Sequence, residues 1–330
     1  MGDETKEIEQ LLLDNTKKNV AIIAHDNPDA DAIGSMVALE ELLKQCGKKV
    51  TYIAQSKIKT KYKLLVGKKR VNKLLLPREF FDILFVVDCS AKSRIRVNLD
   101  EYSDEIVVID HHIDFPKYGD IYWCEDVIAN TILIYKLILY LQNRIENVKM
   151  TDKIATAIYL GIVSDSFNFR SNGVTKDVHK IASELLEYNV DLQFVNDVDA
   201  LPRSITNLAS EILKNIMYDS EYKIMYVNIM KSTIDSTFST YEDASKIIDL
   251  LRNFRDVDVA VVFVTNKYNT YIKVRSRSLD VSKIMKEFCG GGHKCAAGAV
   301  CYSDDGMWLI NSVIRKIKEE IDADRIRKSK

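Results

Sequence analysis

Short apolar runs alternate with longer amphipathic stretches over the first half of the chain: VAIIA at 20–24, VTYIA at 50–54, ILFVV at 83–87 and IVVI at 106–109. Continuous apolar runs of this length suit strands buried on both faces, as in parallel sheets covered by helices. Between and after them the pattern predicts helices at 32–46, 129–142, 151–163 and 176–189, the last bounded by Asn189 as a C-terminal cap. Strands alternating with helices predict βαβ units and a largely parallel sheet. A different rhythm follows. Strand-like runs at 223–229, 257–264, 270–277 and 297–303, with helices at 241–254, 281–288 and 306–321, predict a smaller α/β domain richer in strands. The stretch 196–216 opens polar and turns amphipathic, which suits a helical linker. The expected organisation is a first domain at 1–195, the linker at 196–216 and a second domain at 217–330, with a cleft between the domains.

Composition narrows the class without changing this picture. The 330 residues are 47% hydrophobic and 29% charged, with only four prolines and twelve glycines, an ordinary soluble profile. The formal net charge of −1 supplies no global positive field for tracking long duplex nucleic acid, whereas small anionic substrates are easily accommodated. The six cysteines contain no C-x-x-C pair, so reduced thiols in the cytoplasm are expected rather than zinc or a disulfide framework. The N-terminus is acidic and polar, unlike a secretory signal, and Lys6 stands where a myristoylation motif needs Ser or Thr. The longest apolar stretch, 127–141, is interrupted by Asn130, Thr131 and Lys136 and falls short of the ~20 residues a bilayer requires. A cytoplasmic protein without membrane contact is expected.

The chemistry concentrates where apolar runs end. Directly after the first run, HDNPDAD at 25–31 puts one imidazole and three carboxylates within seven residues, a density that points to a metal. The run at 83–87 ends in Asp88, and that at 106–109 ends in Asp110, His111 and His112. In open α/β sheets, sites form at the carboxyl ends of strands near a topological switch point. His25, Asp29 and Asp31 make a compact N/O set, and Asp88 is suited to bridge two ions because a carboxylate has two donor oxygens. His111 and a carboxylate of GIVSDS at 161–166, Asp165 with Asp152 as the alternative, complete six ligands for two divalent ions. Mixed imidazole and carboxylate ligation without sulfur suits Mn²⁺ first, with Mg²⁺, Co²⁺ or Zn²⁺ as alternatives. Two such ions favour in-line displacement at phosphorus, hence phosphoester hydrolysis. Taken singly, Asp29 or Asp31 would serve equally as a helix N-cap.

The segments HDNPDADAIGS, VVDCS, VIDHH and GIVSDSFNFR resemble, in order, the four motifs of the DHH phosphoesterase superfamily over roughly residues 20–190. That resemblance implies that His25, Asp29 and Asp88 hold one ion and that Asp31, Asp88, His111 and Asp165 hold the other. It places His112 opposite the scissile phosphate and makes Asp110 an acceptor that orients the histidines. Two places depart from the family pattern: DSF at 165–167 replaces Asp-Thr-Gly, bringing a bulky Phe167 to the pocket edge, and IANTILI at 128–134 replaces a stretch richer in Ser and Thr.

In the second half, GGGHKCAAG at 290–298 offers backbone amides in a nest-like turn, and RSRS at 275–278 could aim one arginine at a phosphate. A plain tight turn and solvated strand charge explain these equally well. Together they resemble the DHHA1 domain, over roughly residues 217–325, which implies a nucleotide-binding lobe with Arg275, Ser276, Gly291, Gly292 and His293 contacting substrate. The pairing looks like the NrnA group, which hydrolyses short oligoribonucleotides and often 3'-phosphoadenosine 5'-phosphate (pAp). The expected partners are therefore short single-stranded RNA, dinucleotides or pAp, not long duplexes, with a homodimer as a further expectation. Attack would come from a metal-bridging hydroxide. The alternatives are a phosphodiesterase acting on pApA or cyclic di-AMP, a pyrophosphatase, a RecJ-like exonuclease and a non-catalytic nucleotide sensor.

Overall fold

Runs of apolar residues become the central strands of two separate sheets. The computed structural model describes residues 2–89, 91–113, 116–201, 203, 205–302 and 306–328. The chain forms two units, Met1–Ala200 and Leu201–Lys330.

In the first unit, α1 (Asp3–Leu13) precedes β1 (Asn19–Ala24), α2 (Ala30–Gln45), β2 (Lys49–Ile53), α3 (Lys63–Val66), β3 (Ile83–Val87), β4 (Ile106–Asp110) and β5 (Ile121–Cys124). Four helices follow: α4 (Thr131–Leu141), α5 (Asp152–Asp165), α6 (Lys176–Leu185) and α7 (Leu192–Asp199). All five strands run parallel in the order β2-β1-β3-β4-β5. Side chains alternate across the sheet. Val20, Ile22 and Ala24 of β1 join the large core with α2, α4 and α5, while Ala21 and Ile23 join Phe81, Leu84, Val86 and Leu99 on the other face. The sequence pattern does not predict the edge strand β5, a run of only four residues that are buried alternately.

Register decides where the ends of the strands fall. Ala24 pairs with Val87 and Val87 with Ile109, so β1, β3 and β4 finish level and the residues just past them are neighbours. β1 lies between β2 and β3, which makes the β1/β3 gap the topological switch point. Helix α2 is buried along most of its length and packs against α5. The crossing needs Gly34, where an added Cβ would run into the Ala157 carbonyl.

The second unit contains α8 (Ile205–Leu213), β6 (Met217–Asp219), β7 (Ile224–Met230), α9 (Lys231–Ser236), α10 (Tyr241–Leu251), β8 (Val259–Thr265), β9 (Asn269–Ser276), α11 (Val281–Glu287), β10 (Gly291–His293), β11 (Ala296–Tyr302) and α12 (Gly306–Lys328). Its sheet has the order β10-β11-β9-β8-β7-β6, and only β7 and β8 are parallel. Val259, Val261 and Phe263 of β8 pack with α11 and α12, and Ala260, Val262 and Val264 with α8 and α10. The α/β class, parallel in the first sheet and mixed in the second, agrees with the sequence pattern. The stretch 196–216 is divided: Val198 of α7 is buried in the core of the first unit, and Ile205, Leu208 and Ile212 of α8 in the second. Ser303, at the end of the run 297–303, lies outside the described residues. Among the described residues no helix is long and apolar enough to cross a membrane.

Candidate metal centre

Beyond the level ends of β1, β3 and β4 the chain turns sharply, and the polar residues of those turns collect in one place. His25 follows β1, Asp88 follows β3 in a left-handed conformation (φ 52°), Asp110 closes β4, and His111 and His112 come next. Asp29 caps α2, its Oδ1 accepting from the Ala32 amide at 3.1 Å, and Asp31 lies in the first turn of that helix. The capping role and a site role coexist in Asp29, because its Oδ2 faces His25 Nε2 at 3.7 Å. Asp26, by contrast, pairs with Arg96 at 2.5 Å.

Asp88 stands at the middle. Its Oδ2 lies 3.8 Å from His25 Nε2, and its Oδ1 lies 3.4 Å from His111 Nε2 and 3.9 Å from His112 Nδ1. His111 Nε2 is also 3.9 Å from Asp31 Oδ2 and from Asp165 Oδ2. Asp165 reaches the cluster from the last residue of α5, which runs two residues beyond the expected end. Asp152, the alternative, begins the same helix about 20 Å away by helical rise and bonds Asn189 instead.

Each group is oriented by a second contact. His111 Nδ1 bonds the Val127 carbonyl at 2.8 Å, which sets the tautomer that turns Nε2 toward the carboxylates, and His25 Nδ1 lies 2.7 Å from the Asp26 carbonyl, its Nε2 likewise facing them. Arg94 Nη2 also approaches His25 Nδ1, at 2.8 Å. Asp110, fully buried, holds His112 Nδ1 at 2.8 Å, so its support goes to that imidazole while backbone carbonyls hold the other two. Asp31 is gripped by two amides at the start of α4, Asn130 N at 2.5 Å and Thr131 N at 3.0 Å. Sequence reasoning missed these amides, because they are backbone donors and a helix N-terminus shows its donors only once folded. Past Asp165, three successive residues (Phe167, Asn168, Phe169) adopt positive φ, so the departure noted at DSF is a left-handed run that ends α5.

Crowding shapes the electrostatics. Burial, followed by the Asp88 charge, pushes the Asp31 carboxyl up to about 7. Burial, then Asp31 and Asp29, raises Asp165 well above the usual carboxylate range. Burial opposes a charge on His111, yet the bond to Asp88 and the charges of Asp88, Asp31 and Asp165 lift it well above an ordinary imidazole. Carboxylates buried and packed this closely call for a cation. His25, Asp29 and Asp88 present donor atoms within 4.8 Å of one another, as do Asp31, His111 and Asp165. The donor set, imidazole nitrogen and carboxylate oxygen without sulfur, fits divalent Mn, Mg, Co or Zn.

In the second unit, the glycine run forms a short strand rather than the expected nest-like turn. Gly291, Gly292 and His293 pair with Gly298, Ala297 and Ala296. The approach is tight enough that a Cβ on Gly292 (φ 136°) would come within 2.5 Å of the Ala296 carbonyl. Ala296 pairs in turn with Arg275, so Arg275 and His293 occupy one row of the sheet, two strands apart. Arg277 donates to the carbonyls of Val257, Phe254 and Arg255, a structural clamp, and Arg275 Nη1 donates to the Val274 carbonyl at 3.1 Å. Ser276 is buried and its hydroxyl bonds the Leu279 carbonyl at 2.5 Å, which commits it to the local turn.

The family model described as "DHH family, N-terminal domain" matches residues 19–162, and that described as "DHHA1 domain" matches residues 223–322. The chain is 28% identical over 286 residues to the bifunctional oligoribonuclease and PAP phosphatase NrnA of Bacillus subtilis (strain 168), covering 85% of this chain and 88% of the relative. The Thermus thermophilus protein of the same name is 26% identical over 305 residues, 92% of this chain and 90% of the relative. Among solved structures, an exopolyphosphatase-related protein from Bacteroides fragilis superposes with a TM-score of 0.83 at 20% identity, covering 97% of this chain and 96% of that one, a likeness of fold.

Proposed function

Since the chain belongs to the DHH/DHHA1 phosphoesterase superfamily, in its NrnA-like group, we propose that it is a metal-dependent hydrolase of short oligoribonucleotides and of pAp. The observation that carries this reading is the placement of Asp88, one oxygen turned to His25 and the other to His111 and His112. A carboxylate so placed serves two ions at once. His25, Asp29 and Asp88 would hold one, and Asp31, Asp88, His111 and Asp165 the other, with Mn²⁺ the proposed ion and Mg²⁺ or Co²⁺ as substitutes. A bound pair of divalent ions supplies an acidified water and neutralises charge building on the phosphoryl oxygens.

The protein's own residues do the rest. The amides of Asn130 and Thr131 fix the Asp31 carboxylate before any substrate arrives, so no reorganisation is needed during reaction. Asp110 holds His112 in one orientation, which suits the imidazole to meet an oxygen of the scissile phosphate. We assign Arg275 and His293, with the backbone of Gly291 and Gly292, to the nucleotide end of the substrate. Arginine's planar fork matches a phosphate bidentately.

The test compares phosphate and mononucleotide release, with Mn²⁺, from pAp, pApA, a five-nucleotide RNA and pyrophosphate, using Asp88→Ala beside the wild type. Release from the RNA and pAp, abolished by Asp88→Ala, is expected. Cleavage confined to pApA would replace this reading with dinucleotide turnover, and undiminished activity in Asp88→Ala would end the two-ion assignment.

A further inference from the structure

The segment after β2 differs in charge from the rest of the molecule. Residues 57–78 contain nine Lys and Arg and no Asp or Glu, in a chain whose net charge is −1. Arg70 is spent on Glu40, and Lys61 donates to the Val198 carbonyl. Lys57, Lys63, Lys68, Lys69 and Lys73 are exposed, and their side chains make no hydrogen bond or ion pair among the described residues. So much uncompensated like charge on one segment opposes folding through self-repulsion, and its natural complement is a polyanion.

The root of this arm is tied to the metal centre. The Asn27 amide, two residues from His25, donates to Ser56 Oγ at 2.8 Å. Gln55 Nε2 bonds the carbonyls of Ala24 at 3.1 Å and Arg94 at 3.2 Å, next to the arginine that approaches His25. Ile58 lines a small cavity shared with His25 and Pro28. Farther out the arm folds back on itself. Ile58 bridges Val71, the Asn72 amide donates to the Ile58 carbonyl at 2.8 Å, and Ala54 pairs with Leu75. Lys57 and Lys59, which flank Ile58, therefore lie beside the 70–73 stretch; Lys68 and Lys69 precede the return of the chain, and Lys73 lies on that return, between the Ile58–Val71 bridge and the Ala54–Leu75 pairing.

We infer that this arm is a track for the phosphodiester backbone of single-stranded RNA, whose reacting end lies at the metal centre. The inference rests on the proposed function and deepens it. A basic surface that begins beside the reacting cluster can neutralise the internucleotide phosphates of a strand, whereas pAp, a single nucleotide, has no internucleotide phosphate for it to hold. The arm thus favours oligomers over pAp.

The experiment measures binding of a fluorescein-labelled five-nucleotide RNA by anisotropy in EDTA, where no hydrolysis occurs, across a salt series. The wild type is compared with K68E/K69E/K73E and with K68Q/K69Q/K73Q. Each phosphate left without its lysine should flatten the slope of log K against log salt by about 0.7, so the Gln variant should lose about 2 in slope and the Glu variant should bind at least tenfold more weakly. With Mn²⁺, KM for the RNA should rise at least tenfold while KM for pAp stays within twofold. Wild-type binding that is salt-independent, or unchanged in both variants, overturns the inference, as does preferential lysine-dependent binding to phosphatidylserine vesicles. Failure of the functional reading is separate: it would appear as no turnover of either substrate by the wild type, with the anisotropy result still deciding the track.

Discussion

Gly161 is the position where a single methyl group tests the centre most directly. A Cβ placed there would fall closer to Asp31 Oδ1 and Thr131 Oγ1 than the 3.0 Å real Cβ atoms keep, and 2.6 Å from Thr131 Cγ2. None of these atoms yields easily, because Asp31 is fully buried and both its oxygens are already held by the amides of Asn130 and Thr131. Gly161→Ala gains about 1 kcal/mol in helix propensity. Overpacking costs about 1–3 kcal/mol, so the net loss of stability should be no more than about 2 kcal/mol and the protein should fold. The larger effect falls on geometry. Relief of the clash requires Asp31 to shift by roughly half an ångström or more, and a misplacement on the order of 1 Å can cost about 100-fold in rate. The expected outcome is a 10- to 100-fold fall in kcat on the RNA together with weaker Mn²⁺ binding by calorimetry, with the circular dichroism spectrum unchanged. Activity and Mn²⁺ affinity both within twofold of wild type would refute the placement of Asp31 beside α5.

Three further outcomes are expected. With metal removed by EDTA, Tm should fall as pH rises from about 5 to 8. The Asp31 carboxyl, raised to about 7 in the fold from an ordinary 3.8, stabilises the native state fully below the unfolded value and loses that contribution as pH passes through 7, and the raised His111 acts with the same sign. Mn²⁺ should raise Tm more at pH 8 than at pH 5; a flat or rising Tm in EDTA would contradict the crowded-carboxylate account. Arg70→Met should lower stability by about 3 kcal/mol in urea denaturation, because it strips the fully buried Glu40 of two bonds of 2.7 Å that, against the effect of burial, hold its carboxyl at about 2. His293→Ala should raise KM for both RNA and pAp while kcat changes less than threefold; a selective loss of kcat would move His293 from binding to chemistry.

Much of the centre was legible in the sequence because strand and site share a grammar. Apolar runs that end abruptly in Asp or His announce both a buried parallel strand and the polar turn beyond it, so His25, Asp88, Asp110 and His111 could be named before any fold was known. Periodicity also reads burial: the continuous apolar runs of β3 and β4 are buried throughout, whereas β9 is buried mainly at alternate positions. Local charge was equally readable in the 57–78 segment, although the chain's near-zero net charge masks it. What the sequence could not contain were contacts whose donors are backbone groups: the carbonyls that orient His25 and His111, the amides that grip Asp31, and the hairpin pairing that turns a glycine run into β10. Nor could it say that Arg277 would clamp three backbone carbonyls, or that Asp152, at the other end of the helix that carries Asp165, would bond Asn189 instead. Side-chain identity fixes which chemistry is possible. Only register and the direction of backbone groups, which every residue type shares, decide which of those side chains meet.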